Sequence, residues 1–156
     1  MHRRATSLAP SWARDVAPGP GLALIHAYNT RDLDVWQRYL AEGLVTIYPG
    51  LRGRGIAAAR AYNALLLTTF SDLQFRVLSS VTARDRITTT WCFTGTHDGD
   101  LVTAGVVTPP TFRSARIEGA TVVTVEAGVI VQEEAYWDRL DLMLQLGVAL
   151  TSRPAR

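Results

Sequence analysis

A single α+β domain is the fold this sequence predicts, with N-terminal helices laid across a curved antiparallel sheet so that an apolar pocket lies between them. The chain has 156 residues, the span of one hydrophobic core. Apolar residues recur at helical spacing up to Phe70 and then switch to alternation. Because the two patterns occupy separate halves of the chain, the layout is α+β rather than alternating βαβ.

Residues 1–20 carry prolines and glycines and read as a disordered leader. From Gly21 to Tyr28, Leu22, Ile25, Ala27 and Tyr28 suit one face of a short helix. Asp32 has the chemistry of a cap for a second helix, Leu33 to Glu42, with Gly43 as its stop. Leu44 to Tyr48 reads as a short strand, and the glycines at 50, 53 and 55 form a turn into a third helix, Ile56 to Phe70. Beyond Asp72, period-2 alternation predicts a strand of about ten residues and a second from Ile87 to His97. Gly99 to Val107 reads as irregular or a short strand, closed by Pro109-Pro110. Phe112 to Glu126 and Val129 to Asp138 form two more strands, joined by a two-residue turn at Ala127-Gly128. A closing helix runs from Arg139 to Leu146, the domain ends near residue 148, and residues 149–156 form a tail.

Composition narrows the chemistry. Cys92 is the only cysteine, so internal disulfides and paired-cysteine metal or redox sites are excluded. His2, His26 and His97 lack metal-ligand spacing. Every basic residue is an arginine, which rules out a Walker A lysine and Schiff-base catalysis. Five of those arginines lie before residue 15 or after residue 152; the rest leave the body of the chain with a net charge of −3. A nucleic-acid partner would need clustered cations on a structured face, and none is evident. No signal-peptide pattern and no run of about 18 apolar residues is present, so no membrane partner is expected and the expected location is the cytoplasm.

Two strands carry the candidate site. On the strand Ile87 to His97, alternation places Trp91, Phe93 and His97 on one face, a bulky row ending in a polar group as a binding pocket requires. The competing reading of His97 is a solvated turn before Asp98-Gly99-Asp100. In Glu133-Glu134-Ala135-Tyr136-Trp137-Asp138, Glu133, Ala135 and Trp137 share one face and Glu134, Tyr136 and Asp138 the other. At most one glutamate enters the hollow, where burial would raise its pKa and suit it to proton transfer near neutral pH. Alternatively both sit at a sheet edge or dimer surface against arginines. Asp138 is either a secondary acid or the N-cap of the closing helix. Cys92 reads as an inert packed thiol and His26 as a surface or boundary histidine.

Four segments, taken in order, resemble a known family. They are Asn29-Thr30-Arg31-Asp32-Leu33-Asp34, Gly95-Thr96-His97-Asp98-Gly99, Pro109-Pro110-Thr111 and Tyr136-Trp137-Asp138 with Gln145-Leu146-Gly147. Over about residues 20 to 147 the chain is similar to the SnoaL-like polyketide cyclases. That resemblance implies the cone-shaped α+β barrel of the nuclear transport factor 2-like superfamily, a homodimer or higher oligomer, a hydrophobic polycyclic substrate and no bound cofactor or metal. The family's catalytic histidine and aspartate fall on Glu133 and Ala135, and a further histidine falls on Thr121. Pocket positions on the first and third helices hold Tyr28 and Tyr62, and His97 keeps the family residue.

Loss of the aspartate resembles the ring hydroxylases of anthracycline-type antibiotic pathways. The expected activity is therefore cofactor-free hydroxylation, in which a base-generated anion of an electron-rich substrate reacts with oxygen itself, and a partner reductase is a candidate companion. In that reading Glu133 is the base and Tyr28, Tyr62 and His97 orient substrate oxygens, with Thr121 on the pocket wall. Trp91, Phe93 and Trp137 stack on the rings. The alternatives are a ring cyclase or isomerase in which Glu133 or Asp138 replaces the missing aspartate, and a non-catalytic ligand-binding module. An epoxide hydrolase ranks last because the pocket faces lack an Asp-Arg-Asp relay.

Overall fold

The path of the first helices is set by two local devices. In the computed structural model, which describes residues 18–103 and 105–148, α1 (Ala23–Thr30) buries Ala23, Ile25, Ala27 and Tyr28. It stops at Arg31, whose backbone is left-handed with φ 62°. Asp32 then accepts a hydrogen bond from the Asp34 amide at 2.9 Å and caps α2 (Leu33–Gln37). Most of the expected leader and all of the expected tail lie outside the described residues.

The second helix is shorter than its sequence suggests. Residues 38–42 are adequate helix formers, but the Ile130 amide donates to the Tyr39 carbonyl at 2.6 Å and Leu40 pairs with Ile130. Sheet pairing overrides local propensity there, and β1 runs from Leu40 to Tyr48. Gly43 consequently lies inside the strand, in the stretch between Leu40 and Val45 where the register shifts, rather than at a helix end. β2 (Leu51–Arg54) returns antiparallel after a turn at Gly50, whose φ of +86° favours glycine. α3 (Ile56–Thr69) follows and buries Ala59, Asn63 and Thr69.

The alternating half folds as expected, with β3 (Gln74–Ala83), β4 (Arg86–Thr96), β7 (Ser114–Glu126) and β8 (Val129–Trp137) as antiparallel neighbours. Ala127 and Gly128 both have positive φ, 47° and 83°, matching a tight turn between the last two. The segment after β4 forms its own small hairpin, β5 (Leu101–Thr103) with β6 (Val106–Thr108). The closing helix α4 (Arg139–Leu146) is capped by Asp138 and ends at left-handed Gly147.

The sheet order is β2-β1-β8-β7-β4-β3, and every adjacent pair is antiparallel except β1 with β8. That parallel pair aligns Thr46 with Glu133 and brings the end of β1 beside the middle of the last strand. Pairing across so long a crossover leaves no short-range trace in sequence. Two apolar clusters fill the concave side: one around Phe70, Phe75, Trp91 and Phe93, the other around Trp36, Leu44, Val123 and Ile130. Among the described residues no helix is long and apolar enough to cross a membrane.

Candidate functional site

Between the sheet and the helices lies a hollow with about 620 Å³ of empty space, its open mouth included. Its walls follow from strand alternation. Phe75 stacks on Tyr28 at 4.8 Å between ring centroids and meets Trp91 edge-on at 5.0 Å. Phe93 lies beside Phe75, and Tyr62, Leu66 and Trp137 complete the wall. The structure thus brings Tyr28, Tyr62, Trp91, Phe93, Thr121 and Trp137 together around one space. Ala135 also faces it, and among the described residues no aspartate, glutamate or histidine does.

At one end of this apolar space lies a polar chain. The Tyr28 hydroxyl donates to Asn63 Oδ1 at 2.5 Å, and Asn63 Nδ2 donates to the Tyr48 hydroxyl at 3.5 Å. Tyr48 in turn donates to Glu133 Oε1. Glu133 Oε2 accepts from the Trp36 indole at 2.9 Å. Glu133 and Asn63 are both fully buried, at 0% exposure, whereas Tyr28, Tyr48 and Asn63 line the hollow. Separately, the Trp91 indole donates to Thr121 Oγ1 at 2.9 Å, and Tyr62 donates to the Pro49 carbonyl at 3.1 Å.

Burial governs the proton affinities. Desolvation raises the Glu133 carboxyl above the ordinary glutamate range, and the hydrogen bonds from Tyr48 and Trp36 pull part of that shift back. Desolvation also holds the Tyr28 and Tyr48 phenols well above their usual value, with the Glu133 charge adding to the effect. Tyr62 is raised by burial and lowered in part by the Arg139 cation. A buried carboxyl with raised proton affinity behind a neutral phenol can take up and return a proton without contacting bulk water.

Three expectations need correction. Glu133 faces the concave side, but Trp36 and Tyr48 cover both of its oxygens, so the carboxyl does not itself line the hollow. His97 also lies outside the lining. It is fully buried behind Phe70, with ring centroids 5.8 Å apart, and Nδ1 accepts from the Thr111 amide at 3.2 Å. Its position follows from the chain turning after Thr96, where the Asp98 and Gly99 amides both donate to the Thr69 carbonyl. Asp138 is exposed and accepts from the Asp141 amide at 2.9 Å, so its carboxylate is occupied as a helix cap away from the hollow.

The two glutamates divide as alternation requires. Glu134 occupies the opposite face, where Arg86 at 3.0 Å, Gln132 at 2.7 Å and Tyr136 all donate to it. The Tyr136 hydrogen bond is the largest cause of its lowered pKa. Reading by pairs of acids missed Tyr48 and Asn63. The available signal for Asn63 was a lone amide one helical turn from Ala59, on the buried face of the third helix. Tyr48 gave none, because its role depends on the parallel pairing of β1 and β8. Among the described residues no group of three or more His, Cys, Asp or Glu is placed to hold a metal.

Known proteins share this arrangement of elements. AclR of Streptomyces galilaeus, a proposed hydroxylase, superposes with a TM-score of 0.70 at 22% identity, covering 85% of this chain and 82% of AclR. A proposed SnoaL-like polyketide cyclase from Jannaschia sp. CCS1 gives 0.72 at 24% identity, covering 83% of this chain and 90% of its own. IdmH of Streptomyces antibioticus, a proposed polyketide cyclase, gives 0.65 at 25% identity, with 81% and 94% covered. These likenesses show the fold. No curated protein matches the chain significantly. The SnoaL-like polyketide cyclase family model matches residues 22–146. With that match spanning most of its length, the chain belongs to the SnoaL-like polyketide cyclase family.

Proposed function

We propose that this protein is a cofactor-independent tailoring enzyme of aromatic polyketide biosynthesis that hydroxylates a hydrophobic polycyclic substrate. The observation that carries the reading is one fully buried carboxyl, Glu133, linked through a phenol to an aromatic-walled hollow whose lining, among the described residues, includes no other carboxyl. An aldol ring closure needs an acid for the developing alkoxide as well as a base. Ala135, which lines the hollow, cannot supply one. Forming a phenolate or enolate needs only one proton acceptor in a dry, shaped cavity.

In this reading the ring system stacks against Trp91, Phe93 and Trp137. Thr121 keeps its hydroxyl proton for a substrate oxygen, and Tyr28 and Tyr62, whose protons go to Asn63 and Pro49, accept from substrate hydroxyls. His97 supports the wall through Phe70 rather than touching substrate. The anion reacts with dioxygen; one oxygen atom enters the product, the other leaves as water, and a separate reductase supplies two electrons. A homodimer is part of the same proposal. Ring closure is the second reading, supported by the family match, with Tyr48 and Glu133 serving as both base and acid.

Product mass decides between the two. The full chain is incubated with a reduced anthraquinone-type polyketide, dioxygen, and a reductase with its reduced nicotinamide as the source of the two electrons. Hydroxylation adds one oxygen atom, and Glu133→Gln abolishes the gain. An isomeric product of unchanged mass establishes ring closure instead, and stoichiometric binding without product contradicts both.

A further inference from the structure

The chain of donors ending at Glu133 has a direction. Tyr28 spends its proton on Asn63 Oδ1, which turns Nδ2 toward Tyr48. Tyr48 receives that weak bond on its oxygen and spends its own proton on Glu133 Oε1. The other Glu133 oxygen is occupied by Trp36. Tyr48 itself lines the hollow, and its hydroxyl is one hydrogen bond from the buried Glu133 carboxyl.

We propose that Tyr48 is the catalytic residue that meets the substrate, relaying its proton to a Glu133 carboxylate that the substrate never touches. The assignment rests on the reading of the hollow as the reaction site. In the forward step a substrate C–H or O–H bond breaks and its proton bonds to the Tyr48 oxygen. The Tyr48 O–H bond breaks at the same time, and that proton bonds to Glu133 Oε1. The electron pair stays on the substrate as enolate or phenolate, Glu133 becomes neutral and Tyr48 ends as it began. The reverse sequence returns a proton to the product.

Tyr28 offers no equivalent route, because its proton leads to an amide, which passes a proton on only by becoming an imidic acid. Tyr62 is turned to the Pro49 carbonyl. Asn63 is a positioning residue that fixes the Tyr48 hydroxyl. Burial disfavours a free Tyr48 phenolate, so the two transfers must be concerted rather than stepwise.

The test is α-proton exchange of 2-tetralone in heavy water, followed by NMR with the full chain. The relay needs no oxidant in this assay, so its failure is distinct from failure of the hydroxylation reading, which product mass reports. Wild type is expected to accelerate exchange, and Tyr48→Phe and Glu133→Gln each to lose it by about 100-fold, within the range of general-base contributions. The double variant is expected to fall no further, because the two groups act as one unit. Tryptophan fluorescence measures 2-tetralone binding in each variant, and exchange is compared with the protein saturated so that the loss is read in the rate and not in affinity.

Exchange by Tyr48→Phe at the wild-type rate, additive losses in the double variant, or no acceleration by wild type would each overturn the assignment. Should Tyr48→Phe fail to fold, fluorotyrosine at position 48 keeps the contact while acidifying the phenol. It must shift the pH profile of exchange, and an unshifted profile overturns the relay.

Discussion

Replacing Tyr48 with phenylalanine removes one oxygen and strands two buried groups, Glu133 Oε1 and Asn63 Nδ2. The cost depends on the charge of Glu133. With the carboxyl protonated, losing a neutral hydrogen bond and exposing a weak donor should cost about 1–2 kcal/mol; with it ionised, a charge-assisted bond is lost and the cost rises to about 3–4 kcal/mol. In wild type the folded pKa of Glu133 lies above the ordinary value of 4.5. Its contribution to stability is therefore full below that value and declines as pH rises through the folded pKa. Tyr48 is one of the groups that limits the rise, so the variant declines further than wild type. Urea denaturation followed by circular dichroism at about pH 5 and about pH 8 should show a stability gap that widens by about 2 kcal/mol toward the higher pH. A gap that is flat, or that narrows with rising pH, would refute the claim that Tyr48 holds the Glu133 carboxylate.

Three further perturbations probe separate parts of the account. A Cβ at Gly119 would lie 2.4 Å from the Trp91 ring and 2.7 Å from the Tyr136 carbonyl oxygen, so Gly119→Ala should lower stability by about 1–3 kcal/mol; a thermal melt matching wild type would contradict this. Asp138→Ala removes the cap of α4 and should cost about 1 kcal/mol while leaving 2-tetralone exchange intact; lost exchange in a folded variant would return Asp138 to the site. Burial lowers the His97 pKa below 6.5, against the nearby charges of Asp98 and Asp100. Stability should therefore fall as pH drops from 6.5 toward the folded value, and urea midpoints of His97→Gln should lack that decline.

Much of the fold was legible because the strands are amphipathic. Alternation alone located β3, β4, β7 and β8, and the Asp32 and Asp138 caps marked two helix starts. The end of α2 was not legible, because residues 38–42 suit a helix and only their pairing with the distant Ile130 strand holds them extended. The parallel contact of β1 and β8 was invisible for the same reason. In the site, alternation placed Trp91, Phe93 and Trp137, and the resemblance supplied Tyr28, Tyr62 and Thr121. The inward face of Glu133 was also readable, but its cover was not: Tyr48 and Trp36 arrive from segments 85 and 97 residues away. His97 kept its side of the strand yet ended behind Phe70, since alternation gives a face and not a depth.

The most direct test is an infrared pH titration of the Glu133 carboxyl, its band identified by its loss in Glu133→Gln. The account predicts that the protonated carboxyl persists above the ordinary glutamate value of 4.5 and that an aromatic ligand filling the hollow changes its titration. Ionisation at the ordinary value, unmoved by ligand, would contradict it.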